Sequence, residues 1–78
     1  MITVKFYGKL RQLFGEELNI DKKIDTIEDL MNFLEEKNEA IKKLKEHLLF
    51  SINRQQAKSH DKIKDGDEIA VFLPPGGG

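Results

Sequence analysis

Ile2, Val4 and Phe6 alternate with Thr3, Lys5 and Tyr7, a period of two that predicts a strand with one face turned to a core. Gly8 ends that pattern. Residues 9–14 read as an irregular or short helical connection, stopped by Gly15. Leu18 and Ile20 then alternate with Asn19 and Asp21, which gives a second short strand and, with the first, a hairpin with a wide loop. Thr26 followed by Asp29 resembles a capping box with Asp in place of the usual Glu, directly before Ile27, Leu30, Met31 and Leu34 at helical spacing. The spacing predicts a helix over 27–37, with an apolar stripe that covers a sheet. Ile41, Leu44 and Leu48 suggest a further short helical segment over 40–46.

The apolar, partly β-branched stretch 48–53 reads as a third strand, and 53–58 is turn-like with a weak edge strand. Asp65, Gly66 and Asp67 make a tight turn, because glycine tolerates a positive φ. Residues 68–73 then form a closing strand, with Ile69, Val71 and Leu73 facing the core and Ala70 and Phe72 on the other face. A ββαβ(β)β order with one main helix is an α+β plan in which a mixed sheet of four to five strands wraps the helix. The last strand is expected to pair parallel with the first through a right-handed crossover. The domain is expected over 1–73, followed by a flexible tail over 74–78.

Seventy-eight residues make one small domain that buries only about 60% of its unfolded surface, which leaves little room for a deep active site. There is no cysteine, so disulfides, thiolate metal sites and a cysteine nucleophile are excluded, and a reducing cytoplasm is the default location. His47 and His60 have no HExxH-like spacing, so no metal site is expected. No apolar run approaches the roughly 20 residues of a membrane span. Thirteen basic and fourteen acidic residues nearly balance, but in blocks: basic at Lys5, Lys9 and Arg11, acidic from Glu16 to Glu39, basic again between Lys42 and Lys64. Such blocks can steer a protein partner, yet they lack the basic excess and interleaved aromatics of a nucleic-acid binder.

The chemistry concentrates at the end of the chain. Gly76, Gly77 and Gly78 follow Leu73, Pro74 and Pro75. Three glycines pack no core and are the costliest residues to order, so stability gives no reason for them. A thread without side chains can enter a narrow active-site channel with its amides free, and the Gly78 carboxylate at its tip becomes the candidate reactive group. The two prolines end the last strand and favour an extended exit that aims the tail away from the sheet. Tyr7 and Phe72 are expected on the helix-free face of neighbouring strands, and with Leu10 they form either an apolar patch of the kind that marks a protein interface or scattered exposed apolar residues.

Taken together, the opening strand Val4, Lys5, Phe6, Tyr7, the Leu10 and Arg11 step, the Thr26-capped helix, the Lys64, Asp65, Gly66, Asp67, Glu68 turn and the Pro-Pro and terminal Gly-Gly resemble the ubiquitin-like β-grasp sulfur carriers of the MoaD/ThiS type. The lead Leu73, Pro74, Pro75 is more similar to the MoaD branch, the small subunit of molybdopterin synthase. Only Gly76 stands between the proline pair and Gly77-Gly78, one residue fewer than MoaD tails commonly have, so the carboxylate reaches about 3.3 Å less far.

The resemblance implies a β-grasp fold and a carrier with no side-chain active site of its own. Gly78, preceded by Gly77, would be adenylated and then converted to a thiocarboxylate that donates sulfur in molybdenum cofactor synthesis. No cofactor would be bound by this chain; no phosphate loop of the Walker type is present, so ATP and a persulfide sulfur donor would be used through partners. Those partners would be an E1-like adenylating enzyme of the MoeB/ThiF type, a sulfurtransferase, and the MoaE-type large subunit of molybdopterin synthase or another sulfur acceptor. Tyr7, Leu10, Phe72, Leu73, Pro74, Pro75 and Gly76 would line the partner interface. A ubiquitin-like protein modifier, a carrier of the ThiS kind for thiamine, and a β-grasp binding module without terminal chemistry remain open alternatives.

Overall fold

The computed structural model describes residues 1–74. Five strands, β1 (Ile2–Phe6), β2 (Glu17–Ile20), β3 (Leu49–Ile52), β4 (Gln55–Ala57) and β5 (Glu68–Phe72), form one mixed sheet in the order β2-β1-β5-β3-β4. A short helix α1 (Arg11–Phe14) lies between β1 and β2, and the main helix α2 (Ile27–Lys37) covers the sheet. Turns of 3₁₀ helix at Gly8–Leu10, Glu39–Lys43 and Lys45–His47 complete the plan.

The parallel pairing of β5 with β1 is present, with Val4 opposite Ile69 and Phe6 opposite Val71. β1 and β2 pair antiparallel, Val4 opposite Leu18, and β3 pairs antiparallel with both β5 and β4. Alternation decides which side chains enter the core: Ile2, Val4, Phe6, Ile69 and Val71 are buried against Ile27, Leu30, Met31 and Leu34 of α2. Each fully buried side chain of this kind contributes roughly 1.5–3 kcal/mol.

Local signals fix the ends of α2. The Thr26 hydroxyl accepts the Asp29 N–H at 3.2 Å, satisfying a first-turn donor, and Glu28 and Asp29 place negative charge at the positive end of the helix dipole. Asn38 closes the other end. Its Oδ1 accepts the Ala40 N–H at 3.0 Å while Nδ2 donates to the Leu13 carbonyl at 3.4 Å, which ties α1 to the end of α2.

Two expectations need correcting. Leu10 does not belong to a surface patch: it is fully buried, with 0% of its surface exposed. Gly8, at φ +60°, turns the chain sharply after β1, and the 3₁₀ turn that follows carries Leu10 under the sheet into the core. Leu73 was expected to continue the inward face of β5, but the strand ends at Phe72 and Leu73 is only half-buried and outside the core. Pro74 follows directly and has no N–H with which to extend the ladder.

Candidate functional site

The parallel β1–β5 pair determines what surrounds the point where the chain leaves the sheet. Phe6 and Val71 are partners and both point into the core, so their successors Tyr7 and Phe72 belong to the opposite face. Tyr7 keeps an extended backbone, at φ −132° and ψ 154°, and is 43% exposed. Phe72 is half-buried and lies opposite Leu49 at the start of β3. Cross-strand partners have their Cβ atoms roughly 4.5–5.5 Å apart on one face. Tyr7, Phe72 and Leu49 therefore edge the helix-free face of the sheet beside Leu73 and Pro74.

Arg11 stiffens the Tyr7 side of this rim. Its Nε donates to the Phe6 carbonyl at 3.0 Å, and its guanidinium lies 5.6 Å from the centre of the Tyr7 ring, within cation–π range. Phe14, from the same helix, stacks on Phe6 with ring centres 4.8 Å apart. Farther down the helix-free face the lining turns polar: Lys5 and Glu68 pair at 3.5 Å across β1 and β5. The face thus has an apolar end at the chain exit and a charged middle.

Of the residues singled out in the sequence, Tyr7, Phe72, Leu73 and Pro74 are brought together here, whereas Leu10 is in the core. Pro75, Gly76, Gly77 and Gly78 lie outside the described residues. Leu49 was missed. Its signal was available: once Phe50 is assigned to the core, alternation along β3 sends Leu49 and Ser51 to the other face. Among the described residues no three His, Cys, Asp or Glu side chains are grouped to hold a metal ion, and no helix is long and apolar enough to cross a membrane.

Perturbed titration falls elsewhere. The Asp67 carboxyl is held below its ordinary value, chiefly by the Lys64 backbone N–H and then by the Asn53 side chain. The Met1 amine is pushed up by its hydrogen bond with Asp65. Both groups sit at the opposite end of β5 from Pro74.

Comparison with known proteins bears on this geometry. The model of the ThiS family matches residues 4–78. The molybdopterin synthase sulfur carrier subunit of Haemophilus influenzae is 32% identical over 81 aligned positions, covering all of both chains. Among solved structures, small archaeal modifier protein 1 of Methanosarcina acetivorans superposes with a TM-score of 0.84 at 23% identity, over 99% of this chain and 95% of that one. Subunit 1 in the complex of subunits 1 and 2 of the Helicobacter pylori molybdopterin-converting factor gives a TM-score of 0.72 at 26% identity, over 99% and 97%. The architecture is the ubiquitin-like β-grasp.

Proposed function

The chain belongs to the ThiS family, and from that membership we propose that it is a sulfur carrier whose Gly78 carboxylate is the group turned over. The observation that supports this reading most strongly is the extent of the family match, which runs through the glycine tail to residue 78. β5, the central strand of the sheet, leads into that tail beside Tyr7, Phe72 and Leu49, a surface suited to docking while the thread reaches into another protein's active site.

The chemistry has three steps. A free carboxylate repels a sulfur nucleophile and would have to expel oxide, so it must be activated. An E1-like partner joins the Gly78 carboxylate to AMP, with pyrophosphate leaving from ATP. The terminal sulfur of a sulfurtransferase persulfide then attacks the carbonyl and expels AMP, and a second thiol cleaves the resulting S–S bond. Gly78 is left as a thiocarboxylate, and the two donor thiols as a disulfide. The described residues of the carrier take part only as a docking surface.

Molybdopterin synthesis is the pathway best supported, because the Haemophilus influenzae relative is the sulfur carrier subunit of molybdopterin synthase and aligns over its whole length. A large catalytic subunit is then the receiving partner, a reading supported by the Helicobacter pylori complex of subunits 1 and 2. The small archaeal modifier neighbour supports a second reading, in which the same adenylate ends as an isopeptide on a target lysine.

Intact-mass measurement separates the two. After incubation with an adenylating enzyme, ATP and a persulfide donor, the carrier gains the mass of one sulfur-for-oxygen exchange. A ladder of larger conjugates in cell extract, with no such exchange, would overturn the carrier reading in favour of the modifier.

A further inference from the structure

A groove of about 340 Å³ opens on the helix-bearing side of the sheet, between α2 and the β3–β4 hairpin. Ile27 and Met31 of α2 form one wall, and Leu48 and Ala57 form the other. Its volume is at the bottom of the range of small-molecule sites, roughly 300–1,000 Å³. The floor offers aliphatic carbon, the buried Phe50 ring and a flexible thioether that adapts to different apolar shapes, and no buried polar group that would orient a cofactor.

The rim gives the groove a direction and a charge. β4 is the outermost strand of the sheet, so its far side faces no other strand, and an extended chain can lie along it. Lys45, paired with Glu35, lies toward the second half of α2, and Lys58, whose neighbour Ser59 accepts the Glu28 N–H, lies toward its first turn. The Lys45 ammonium is 3.1 Å from Glu35, whereas among the described residues the Lys58 ammonium has no ion pair; Asp61 Oδ2 accepts the Lys58 backbone N–H at 2.8 Å. Glu28 is the acidic group on this rim, and it sits in the first turn of α2, where the helix dipole accounts for it.

We infer that this groove takes an extended segment of a partner protein, in which a bulky aliphatic or aromatic side chain fills the space between Met31 and Ala57 and flanking carboxylates meet Lys58 and Lys45. The occupant is a peptide and not a second copy of this chain: a twofold antiparallel pairing of β4 strands centred on Gln56 would set Lys58 of each copy opposite Arg54 of the other. The groove lies across the sheet from Tyr7 and Phe72. A protein bound there leaves the tail free, so the carrier can be held by one protein while a second works on its end.

The inference is tested on the full unmodified chain, without any tail-modifying enzyme, so its outcome does not depend on the sulfur-carrier reading. A random twelve-residue peptide library is panned against the protein, and selected peptides are titrated into ¹⁵N-labelled protein with ¹³C-methyl methionine. Supporting results are peptides carrying a large apolar residue next to Asp or Glu, shifts at the Met31 methyl and at the Gln56 and Ala57 amides, and weaker binding at high salt. Ala57→Leu, at a half-buried edge position, fills the groove and lowers affinity at least about tenfold with the rest of the amide spectrum unchanged; Lys58→Glu lowers it about threefold at low salt. Selection of no peptide, selection of peptides without the acidic signature, or shifts confined to Tyr7 and Phe72 would overturn it. So would concentration-dependent shifts at Met31 and Ala57 in the absence of peptide, which would make a second copy the occupant.

Discussion

The side-chain amide of Asn53 donates to the Asp67 carboxylate at 2.9 Å, while the Asn53 Oδ1 accepts the Glu68 N–H at 3.0 Å. The Asn53 backbone N–H also donates to the Glu68 carbonyl at 2.8 Å. One residue of the β3–β4 turn therefore holds the start of β5, and it does so from a left-handed backbone at φ 49°. Asparagine tolerates that region better than most residues. Asn53→Gly keeps the backbone and removes the side-chain bonds, costing about 1–2 kcal/mol. Asn53→Ala loses the bonds and adds backbone strain, so it costs about 1 kcal/mol more than the glycine variant. Urea denaturation of both variants checks the order; equal losses would mean that the backbone conformation contributes nothing.

The other end of the clamp gives stability a pH dependence. Asp67 has its carboxyl held below the ordinary value of 3.8 by the Lys64 N–H and Asn53. A depressed carboxylate stabilises the fold above its unfolded value, and that contribution is lost as pH falls through the lower folded value. The group is solvent-screened, so the effect is under about 1 kcal/mol. Asp67→Asn should be less stable than the parent at neutral pH, with the gap closing on acidification below 3.8. A gap that widens in acid would contradict this assignment.

Leu10 tests the boundary between core and docking surface. Because it is fully buried with Phe6 and Val71, Leu10→Ala costs about 2–5 kcal/mol. Tyr7→Ala, at a 43% exposed position, changes stability by less than about 1 kcal/mol. Thermal unfolding of both variants reads the difference directly, and comparable melting temperatures would return Leu10 to the surface.

These cases mark what the sequence could and could not disclose. The start and inward face of α2 were legible because their signals are local: the Thr26 cap and the apolar stripe from Ile27 to Leu34. The β1–β5 pairing was legible from topology rules, since the chain crosses through a helix between them. β4 was only faintly visible, because Gln55 and Gln56 carry no apolar signal and the strand depends on Asn53 and Arg54 both adopting positive φ. Leu10 was misplaced because an apolar residue outside a strand has no period to assign its face, and the turn at Gly8 that buries it is a three-dimensional fact. Leu49 escaped for the related reason that its face of β3 follows from Phe50 pointing inward.

The pairing of Leu49 with Phe72 makes both positions sensitive to charge when a partner docks. Phe72→Glu and Leu49→Glu each place a carboxylate on the rim next to the chain exit without entering the core. Each is expected to weaken binding of the large catalytic subunit by about 30-fold, the effect of losing one central apolar anchor. Calorimetry with the purified partner measures this. An unchanged affinity with an intact amide spectrum would move the docking surface away from this edge.

Changes in the tail separate chemistry from docking. Removing Gly78 leaves residues 1–74, and with them the docking edge, chemically unchanged. The truncated chain should therefore bind the large subunit with affinity reduced only by the contacts of one glycine, yet never acquire sulfur when incubated with an adenylating enzyme, ATP and a persulfide donor. On the proposed mechanism Gly77→Val adds a branched side chain to the reacting thread, and it should slow adenylation by at least about tenfold while leaving the fold intact. Pyrophosphate release reports adenylation, and intact mass reports the sulfur exchange. If the truncated chain still gained one sulfur for one oxygen, the reactive carboxylate would not be that of Gly78, and the proposed role of the glycine tail would fail.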